Sequence, residues 1–112
     1  KFTSDLINSY AWDTATVFIQ NCGTNAKYSR QNSLNKALAQ TGTTTDMQCN
    51  IYDMASNVLE WTTETSRDSN KACVYRGGSC NGSGYYTSYR NNNPTSYSDV
   101  SFGFRPLLYV NV

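Results

Sequence analysis

The composition of one segment near the end of the chain limits the folds that the chain can adopt. Asn, Ser, Tyr, Gly and Thr fill 17 of the 21 positions from Ser79 to Asp99. Such a stretch has too few aliphatic side chains to build a core, yet Arg76–Gly78 precedes it and Gly103–Arg105 follows it. The composition is typical of binding surfaces, since Tyr gives stiff contact area and Ser, Gly and Asn give adaptable hydrogen bonding.

Size and charge narrow the function classes. At 112 residues we expect one domain, residues 1–112, with a candidate ligand-binding face at about 79–99. Only 15% of the residues are charged and the net charge is +1, which offers no electrostatic footprint for nucleic acid. No apolar run approaches the roughly 20 residues that cross a bilayer, so we expect no membrane insertion.

The chain contains no His, which removes the commonest general base and transition-metal ligand. Catalysis would require Cys, carboxylates or a bound metal, and we expect no enzyme. The four cysteines, Cys22, Cys49, Cys73 and Cys80, allow three pairings, and the sequence does not choose among them. Cys49 and Cys73 lie beside apolar, strand-like residues, where a buried free thiol is expected.

The first half of the chain has a helical pattern. Ser4-Asp5 is a candidate N-cap, and a helix of about four turns should end near Asn21, before Gly23. Its apolar stripe has three- and four-residue spacing: Leu6, Ile7, Tyr10, Ala11, Thr14, Ala15 and Phe18, with Trp12 and Val17 at its margins. Residues Ser33 to Gln40 have the spacing of a short second helix.

The second half has a strand pattern. Val58–Thr63 and Ala72–Tyr75 are strand-like, and Val100–Val112 predicts one or two terminal strands in which Pro106 lies at a bulge, bend or edge. Asn91–Asn93 before Pro94 is equally compatible with a plain turn and with ligand contact. Helices first and strands last indicate an α+β fold.

Two motifs then raise a family resemblance. They are Asn50-Ile-Tyr-Asp-Met-Ala-Ser-Asn-Val-Leu-Glu-Trp61, and Val74-Tyr-Arg-Gly-Gly-Ser79 followed by Tyr89-Arg90 and Gly103-Phe-Arg105, with Tyr10-Ala-Trp12 on the predicted first helix. Together they resemble the formylglycine-generating-enzyme/sulfatase-modifying-factor branch of the C-type lectin-like fold. The resemblance implies two helices, a small twisted antiparallel sheet and long ordered loops. The chain departs from the family pattern at Ser56, usually Gly, and at Leu59, usually Trp.

Within that fold the chain is similar to the variable proteins of diversity-generating retroelements, which phages and bacteria carry. There a reverse transcriptase rewrites adenine positions, converting Asn codons towards Tyr, Ser, Thr, Gly and Asp. The resemblance implies a receptor-binding or adhesion module on a virion tail tip or a bacterial cell surface, with a protein or glycan partner on a bacterial surface. The expected ligand-binding residues are Asn81, Tyr85, Tyr86, Tyr89, Asn91, Asn92, Asn93 and Tyr97.

Neighbouring residues have expected structural roles. Arg76 and Arg105 should hydrogen-bond to backbone carbonyls and hold the loops. Gly77, Gly78 and Gly103 should permit positive φ or close backbone approach. The two tryptophans, Trp12 and Trp61, should belong to the core.

Two alternative functions follow from the same resemblance. An oxidase of the formylglycine-generating kind needs two cysteines shortly after Gly-Gly-Ser, whereas only Cys80 follows that motif. A Ca²⁺-dependent lectin uses tripeptides that Asn93-Pro94-Thr95 matches poorly. No cofactor is expected other than a structural Ca²⁺, which the resemblance assigns to the Asp53 and Glu60 side chains and the Ser56 and Val58 carbonyls; oxygen ligands suit that ion.

Overall fold

The computed structural model describes residues 1–32 and 37–110. Helix α1 and a 3₁₀ turn lie in the first third of the chain, and most strands lie in the second half. The elements in chain order are β1 Phe2–Leu6, α1 Ser9–Cys22, the 3₁₀ turn Tyr28–Arg30, β2 Met47–Gln48, β3 Ile51–Tyr52, β4 Leu59–Thr65, β5 Cys73–Arg76, β6 Arg90–Asn93, β7 Phe102–Phe104 and β8 Pro106–Val110. The chain is therefore mixed α+β, as predicted.

The main sheet has four strands in the order β6-β5-β4-β7. The β4–β5 and β5–β6 pairs are antiparallel, whereas β4 and β7 run parallel. This sheet is consequently mixed, which corrects the expectation of an antiparallel one. Two small antiparallel ribbons, β1–β8 and β2–β3, complete the strand pairing of the described residues.

Helix α1 begins later than the sequence predicted. Asn8 is the N-cap, and its side chain accepts from the Ala11 N–H at 2.8 Å. The expected cap, Ser4-Asp5, instead lies in β1, which pairs along its whole length with β8. The prediction was wrong because this pairing partner lies about a hundred positions away and has no local signature. The predicted end of the helix is confirmed, since Gly23 follows Cys22 and donates to the Ile19 carbonyl.

The buried side of α1 also differs from the predicted stripe. Trp12, Thr16 and Ile19 are buried, while Tyr10 is 88% exposed and Phe18 is 49% exposed. The helix starts at Ser9, so the positions before it no longer define a helical face. The core is therefore built around Trp12, and it comprises Ile7, Trp12, Ile19, Tyr28, Met54 and Ala55.

The second helix expected over Ser33–Gln40 falls partly on residues 33–36, which lie outside the described residues. Residues 37–40 are not helical.

The predicted strands β4 and β5 and the two terminal strands are confirmed. Strands β4 and β5 agree with the predicted strands to within two residues at each end, and two terminal strands form, with Pro106 at the start of β8. Asn91–Asn93 belongs to strand β6 at the edge of the main sheet, so the plain-turn reading was wrong. Asn has low strand propensity, and this strand forms because β5 supplies a partner.

Candidate ligand-binding face

One face of the main sheet carries a bed of three aromatic rings. Trp61 stacks on Phe102 with ring centroids 4.6 Å apart, and Tyr75 meets both rings edge-on, at 5.8 Å from Trp61 and 4.8 Å from Phe102. Tyr75 is 7% exposed, whereas Trp61 and Phe102 are half-buried. Trp61 was expected in the core, but it lies instead on this sheet face.

Four tyrosines extend the bed outward. Tyr89 lies 6.3 Å from Tyr75 and receives the edges of Tyr85 at 5.0 Å and Tyr86 at 5.7 Å. Tyr97 meets Phe102 at 5.3 Å. We call Tyr85, Tyr86, Tyr89 and Tyr97, together with the bed Trp61, Tyr75 and Phe102, the aromatic face. Tyr86 is 40% exposed and Tyr97 is 43% exposed, so the outer rings reach solvent.

Strand register explains why the rings share one face. Trp61 pairs with Tyr75, and Tyr75 pairs with Asn91. Side chains alternate along a strand, so their neighbours Glu60, Arg76 and Arg90 are also paired with one another and point to the opposite face. The aromatic side is thus separated from a charged side that faces α1.

The backbone beneath the tyrosines is firmly attached to the rest of the molecule. Thr87 and Ser88 donate their N–H groups to the Gln31 and Ser29 carbonyls, each at 3.0 Å. The Trp12 indole N–H donates to the Thr87 carbonyl at 2.7 Å. These bonds tie residues 85–89, the tyrosine segment, to the buried Trp12 of α1 and to the segment that follows the helix.

Arg76 adds a further tie, as predicted for a loop-holding arginine. It is 4% exposed; its Nε donates to the Tyr89 carbonyl at 3.1 Å, and its Nη2 donates to the Ser88 carbonyl at 3.3 Å. Arg105 likewise donates to the Tyr52 carbonyl at 2.7 Å. Both predictions of carbonyl-bonded arginines are confirmed.

Gly77 and Gly78 lie between β5 and the residues that carry the tyrosines. Gly77 has φ +99°, a conformation that L side chains rarely adopt, and a Cβ there would lie 2.8 Å from the Trp12 ring. At Gly78 a Cβ would lie 2.2 Å from the Ala55 backbone. The prediction of close approach at these glycines is confirmed.

The structure brings only part of the predicted site together. The four tyrosines and Asn91, whose amide donates to the Tyr89 hydroxyl at 3.1 Å, form one cluster. Asn92 points to the other side of β6 and donates to the Lys71 carbonyl at 2.8 Å. Asn93 is half-buried beside Cys73, and Asn81 is exposed but follows Cys80 outside the ring contacts.

The three bed residues were missing from the predicted site. Trp61 and Phe102 lie in segments that the sequence did identify as strands, but alternation shows only which residues of one strand share a face. The β4–β7 pairing that brings the two rings together has no local signal. Burial raises the pKa of the Tyr75 phenol to about 12, and the neighbouring phenols of Tyr89 and Tyr85 add to the shift. The bed is therefore neutral at physiological pH.

The opposite face holds charges in pairs. Arg76 Nη2 lies 2.6 Å from Asp13 Oδ1, and Arg90 binds both oxygens of Glu64. These groups line an open cavity of about 550 Å³ beside the start of α1. Because each charge has a partner of opposite sign, the cavity has no net preference for an anion or a cation.

The residues expected to hold Ca²⁺ already bind one another and Arg105. Both oxygens of Glu60 accept from Arg105, at 2.7 and 2.9 Å. The Asp53 carboxylate accepts from Gly42 N–H at 3.1 Å and from the hydroxyls of Thr44 and Ser56. Within residues 1–32 and 37–110 no group of three or more His, Cys, Asp or Glu residues is arranged to hold a metal ion. The Glu60 carboxylate is thus paired with a guanidinium, and the Asp53 carboxylate is bonded to neutral protein donors.

The described cysteines are all free thiols. Cys22 and Cys49 are exposed, Cys73 is half-buried and Cys80 is buried. The expected burial of Cys49 was wrong, because this residue lies at the tip of the β2–β3 turn and not in a strand. The described part of the chain also has no helix whose length and apolar character suit a membrane span.

Comparison with known proteins places the chain in a family. The search of curated proteins and the search of solved structures gave no match. The family model described as "Sulfatase-modifying factor enzyme 1-like domain" matches residues 3–109, nearly the whole chain, and includes α1, the main sheet and most of β1 and β8. The chain therefore belongs to the family of sulfatase-modifying factor enzyme 1-like domains.

Proposed function

We propose that this chain is a hypervariable ligand-binding module that contacts a protein or glycan on a bacterial surface through its aromatic face. The observation that carries the proposal is that Tyr86 and Tyr97 are 40% and 43% exposed while lying on other rings. Tyr side chains held in this way provide contact area with little conformational entropy left to lose on binding.

The attachment of the backbone supports the same function. The segment around Thr87 and Ser88 is bonded to Gln31, Ser29 and Arg76, so exchanging the outward side chains leaves its supports in place. Sites that bind well are held by rigid neighbours. The chain thus separates a constant frame from side chains that can vary.

The proposal includes the source of that variation. The module is a single C-type lectin-like domain of a phage or bacterial surface protein, diversified by a retroelement that rewrites Asn codons near the 3′ end of the gene. Asn91 and Asn92 would be unaltered positions and the tyrosines rewritten ones. Tyr85, Tyr86, Tyr89, Asn91 and Tyr97 form the central contact set, while Asn81, Asn92 and Asn93 lie at its margin.

The family match favours one alternative, an oxidase of the formylglycine-generating kind. Such an enzyme needs a copper-binding cysteine pair after Gly78-Ser79. Cys80 is the only cysteine after these residues; it is 6% exposed, and its thiol lies 3.5 Å from Asn81 Oδ1. We therefore expect no copper-dependent oxygen consumption with any cysteine-containing peptide, and turnover would favour the oxidase.

A Ca²⁺-dependent lectin is the other alternative. The donors that would serve the ion are engaged by Arg105, Gly42 and Thr44, which argues for binding without a metal. Contacts centred on neutral tyrosines should also depend weakly on salt.

The genomic locus provides the direct test. We expect a near-copy of codons 79–99 close to the gene, differing from it only opposite adenines, and variation among isolates confined to those codons. An invariant locus without such a copy would contradict retroelement diversification.

A display library tests binding separately. Positions Tyr85, Tyr86, Asn91 and Tyr97 are randomised, and clones are selected against a purified model protein. A matched library at the exposed positions Lys71, Arg67, Ser69 and Asp68 is the control. We expect folded binders from the first library and few from the second; equal yields would remove the special role of the aromatic face.

A further inference from the structure

Two exposed cysteines lie where the end of α1 meets the β2–β3 turn. Cys22 is the last residue of α1 and Gly23 follows it. A Cβ placed on Gly23 would lie 3.2 Å from the Cys49 sulfur. The Cys49 thiol is therefore packed against the residue next to Cys22.

The Cys49 sulfur lies beside a residue that is one position along the chain from Cys22. Adjacent Cα atoms are about 3.8 Å apart, and the Cα atoms of a disulfide lie roughly 4.4–6.8 Å apart. A disulfide between Cys22 and Cys49 would place their Cα atoms in that range, and the packing of Cys49 beside Gly23 favours it.

The turn itself holds Cys49 in place. Cys49 and Asn50 are the two residues between β2 and β3, with φ of +52° and +63°. Two successive positive φ values define the tight hairpin turn that Asn-Gly favours. Cys is not a favoured residue there, so its presence has no explanation in turn geometry.

Exposure separates this pair from the other two thiols. Cys22 and Cys49 are exposed, whereas Cys73 is half-buried and Cys80 is buried. Cys73 opens β5 and Cys80 follows it beyond Gly78, so a strand and a turn separate them. An oxidant in solution therefore reaches Cys22 and Cys49 first.

We propose that Cys22 and Cys49 form an intramolecular disulfide when the chain meets a small-molecule disulfide oxidant such as oxidised glutathione. One cysteine thiolate attacks the oxidant, forming a mixed disulfide and releasing one glutathione thiolate. The second cysteine thiolate then attacks the protein sulfur of that mixed disulfide and displaces the second glutathione. Two protein thiols become one disulfide, one glutathione disulfide becomes two thiols, and the protons pass to solvent or to the released thiolates.

The cross-link would stabilise the polar segment between the two cysteines. Between Cys22 and Cys49 the described residues contain the 3₁₀ turn and β2, with few apolar side chains to hold them. Closing a loop of this length removes conformational entropy from the unfolded chain, which corresponds to a rise in melting temperature on the order of 10 °C. The Ser29 and Gln31 supports of the aromatic face lie inside that loop.

The experiment compares reduced protein with protein incubated with oxidised glutathione. We expect loss of the two accessible thiols, a cross-linked peptide joining Cys22 to Cys49 in mass mapping, and the stated rise in melting temperature. The rise should be reversed by dithiothreitol and independent of protein concentration.

Cysteine variants complete the test. C22S and C49S should each abolish the rise, because serine cannot form the disulfide. Both positions are exposed, so these variants should still fold, and C73S should retain the rise. Stable glutathione adducts without a cross-link, a disulfide-linked dimer, or mapping to Cys73 or Cys80 would each overturn the proposal. None of these outcomes depends on the ligand of the aromatic face.

Discussion

Arg105 donates to both carboxylate oxygens of Glu60, from Nε at 2.7 Å and from Nη2 at 2.9 Å. The two side chains are 22% and 6% exposed. The pair joins β4 to the segment between β7 and β8, and the Arg105 guanidinium also lies 5.4 Å from the centre of the Trp12 ring. One side chain thus connects the sheet, the terminal ribbon and the helix.

Removing Arg105 should destabilise the chain strongly. R105A leaves the Glu60 charge buried without its partner, which costs about 3–5 kcal/mol. R90A is the matched control, because the Arg90–Glu64 pair is more exposed and surface pairs are worth about 1 kcal/mol or less. Urea denaturation measures both free energies of unfolding. Equal losses for the two variants would contradict the assigned role of the buried pair.

The sequence predicted half of this relationship. The Gly-Phe-Arg motif indicated that Arg105 holds a loop through a carbonyl, and its bond to Tyr52 has that form. Glu60 was expected to bind Ca²⁺, and in the structure its carboxylate accepts from Arg105. Local spacing says nothing about which cation reaches a carboxylate, because that depends on how β7 packs beside β4.

Calcium should therefore have little effect on stability. We expect melting temperatures in millimolar CaCl₂ and in EDTA to agree within about 1 °C, because ligand stabilisation requires a site that the folded state offers. D53N tests the same residues from the protein side, and its loss of stability should be equal in both buffers. A rise of several degrees with Ca²⁺ that D53N removes would restore the calcium site.

Replacing a buried and an exposed tyrosine of the aromatic face with alanine should change the stability by different amounts. Y75A removes a ring that is 7% exposed, and loss of a large buried ring costs about 3–5 kcal/mol. Y86A removes a ring that is 40% exposed, and its cost should stay near 1 kcal/mol. Thermal or urea unfolding of the two variants decides between the roles. A large loss for Y86A would show that this ring belongs to the core and would weaken the binding proposal.

Composition alone predicted the exposed rings but not the bed beneath them. Tyr85, Tyr86, Tyr89 and Tyr97 were expected to be exposed because they lack aliphatic neighbours; Tyr86 and Tyr97 are exposed, whereas Tyr85 and Tyr89 are half-buried. Tyr75 and Phe102 belong to separate strands, and only the sheet order brings them together. The predicted start of the first helix was wrong for a similar reason, since the residues expected to start it are paired with the far end of the chain.

Acid should weaken the chain partly through Glu64. The hydrogen bonds from Arg90 hold the pKa of the Glu64 carboxyl below its ordinary value, helped by the Ser9 hydroxyl and opposed by partial burial. A lowered folded-state pKa gives stability that is present above the unfolded value of about 4.3 and is lost as pH falls through the folded value. E64Q should therefore cost up to about 1 kcal/mol at pH 7 and progressively less below pH about 4.

The control for this experiment is the same E64Q substitution made in the R90A variant. Without the Arg90 guanidinium, the same E64Q substitution should have an effect that varies much less with pH, because the main cause of the shift is gone. Urea unfolding of the four proteins of this cycle, repeated from pH 7 down to pH 3, gives the coupling free energy at each pH. A coupling free energy that is the same at pH 3 as at pH 7 would mean that packing of the long side chains, and not the carboxylate charge, links Arg90 of β6 to Glu64 of β4.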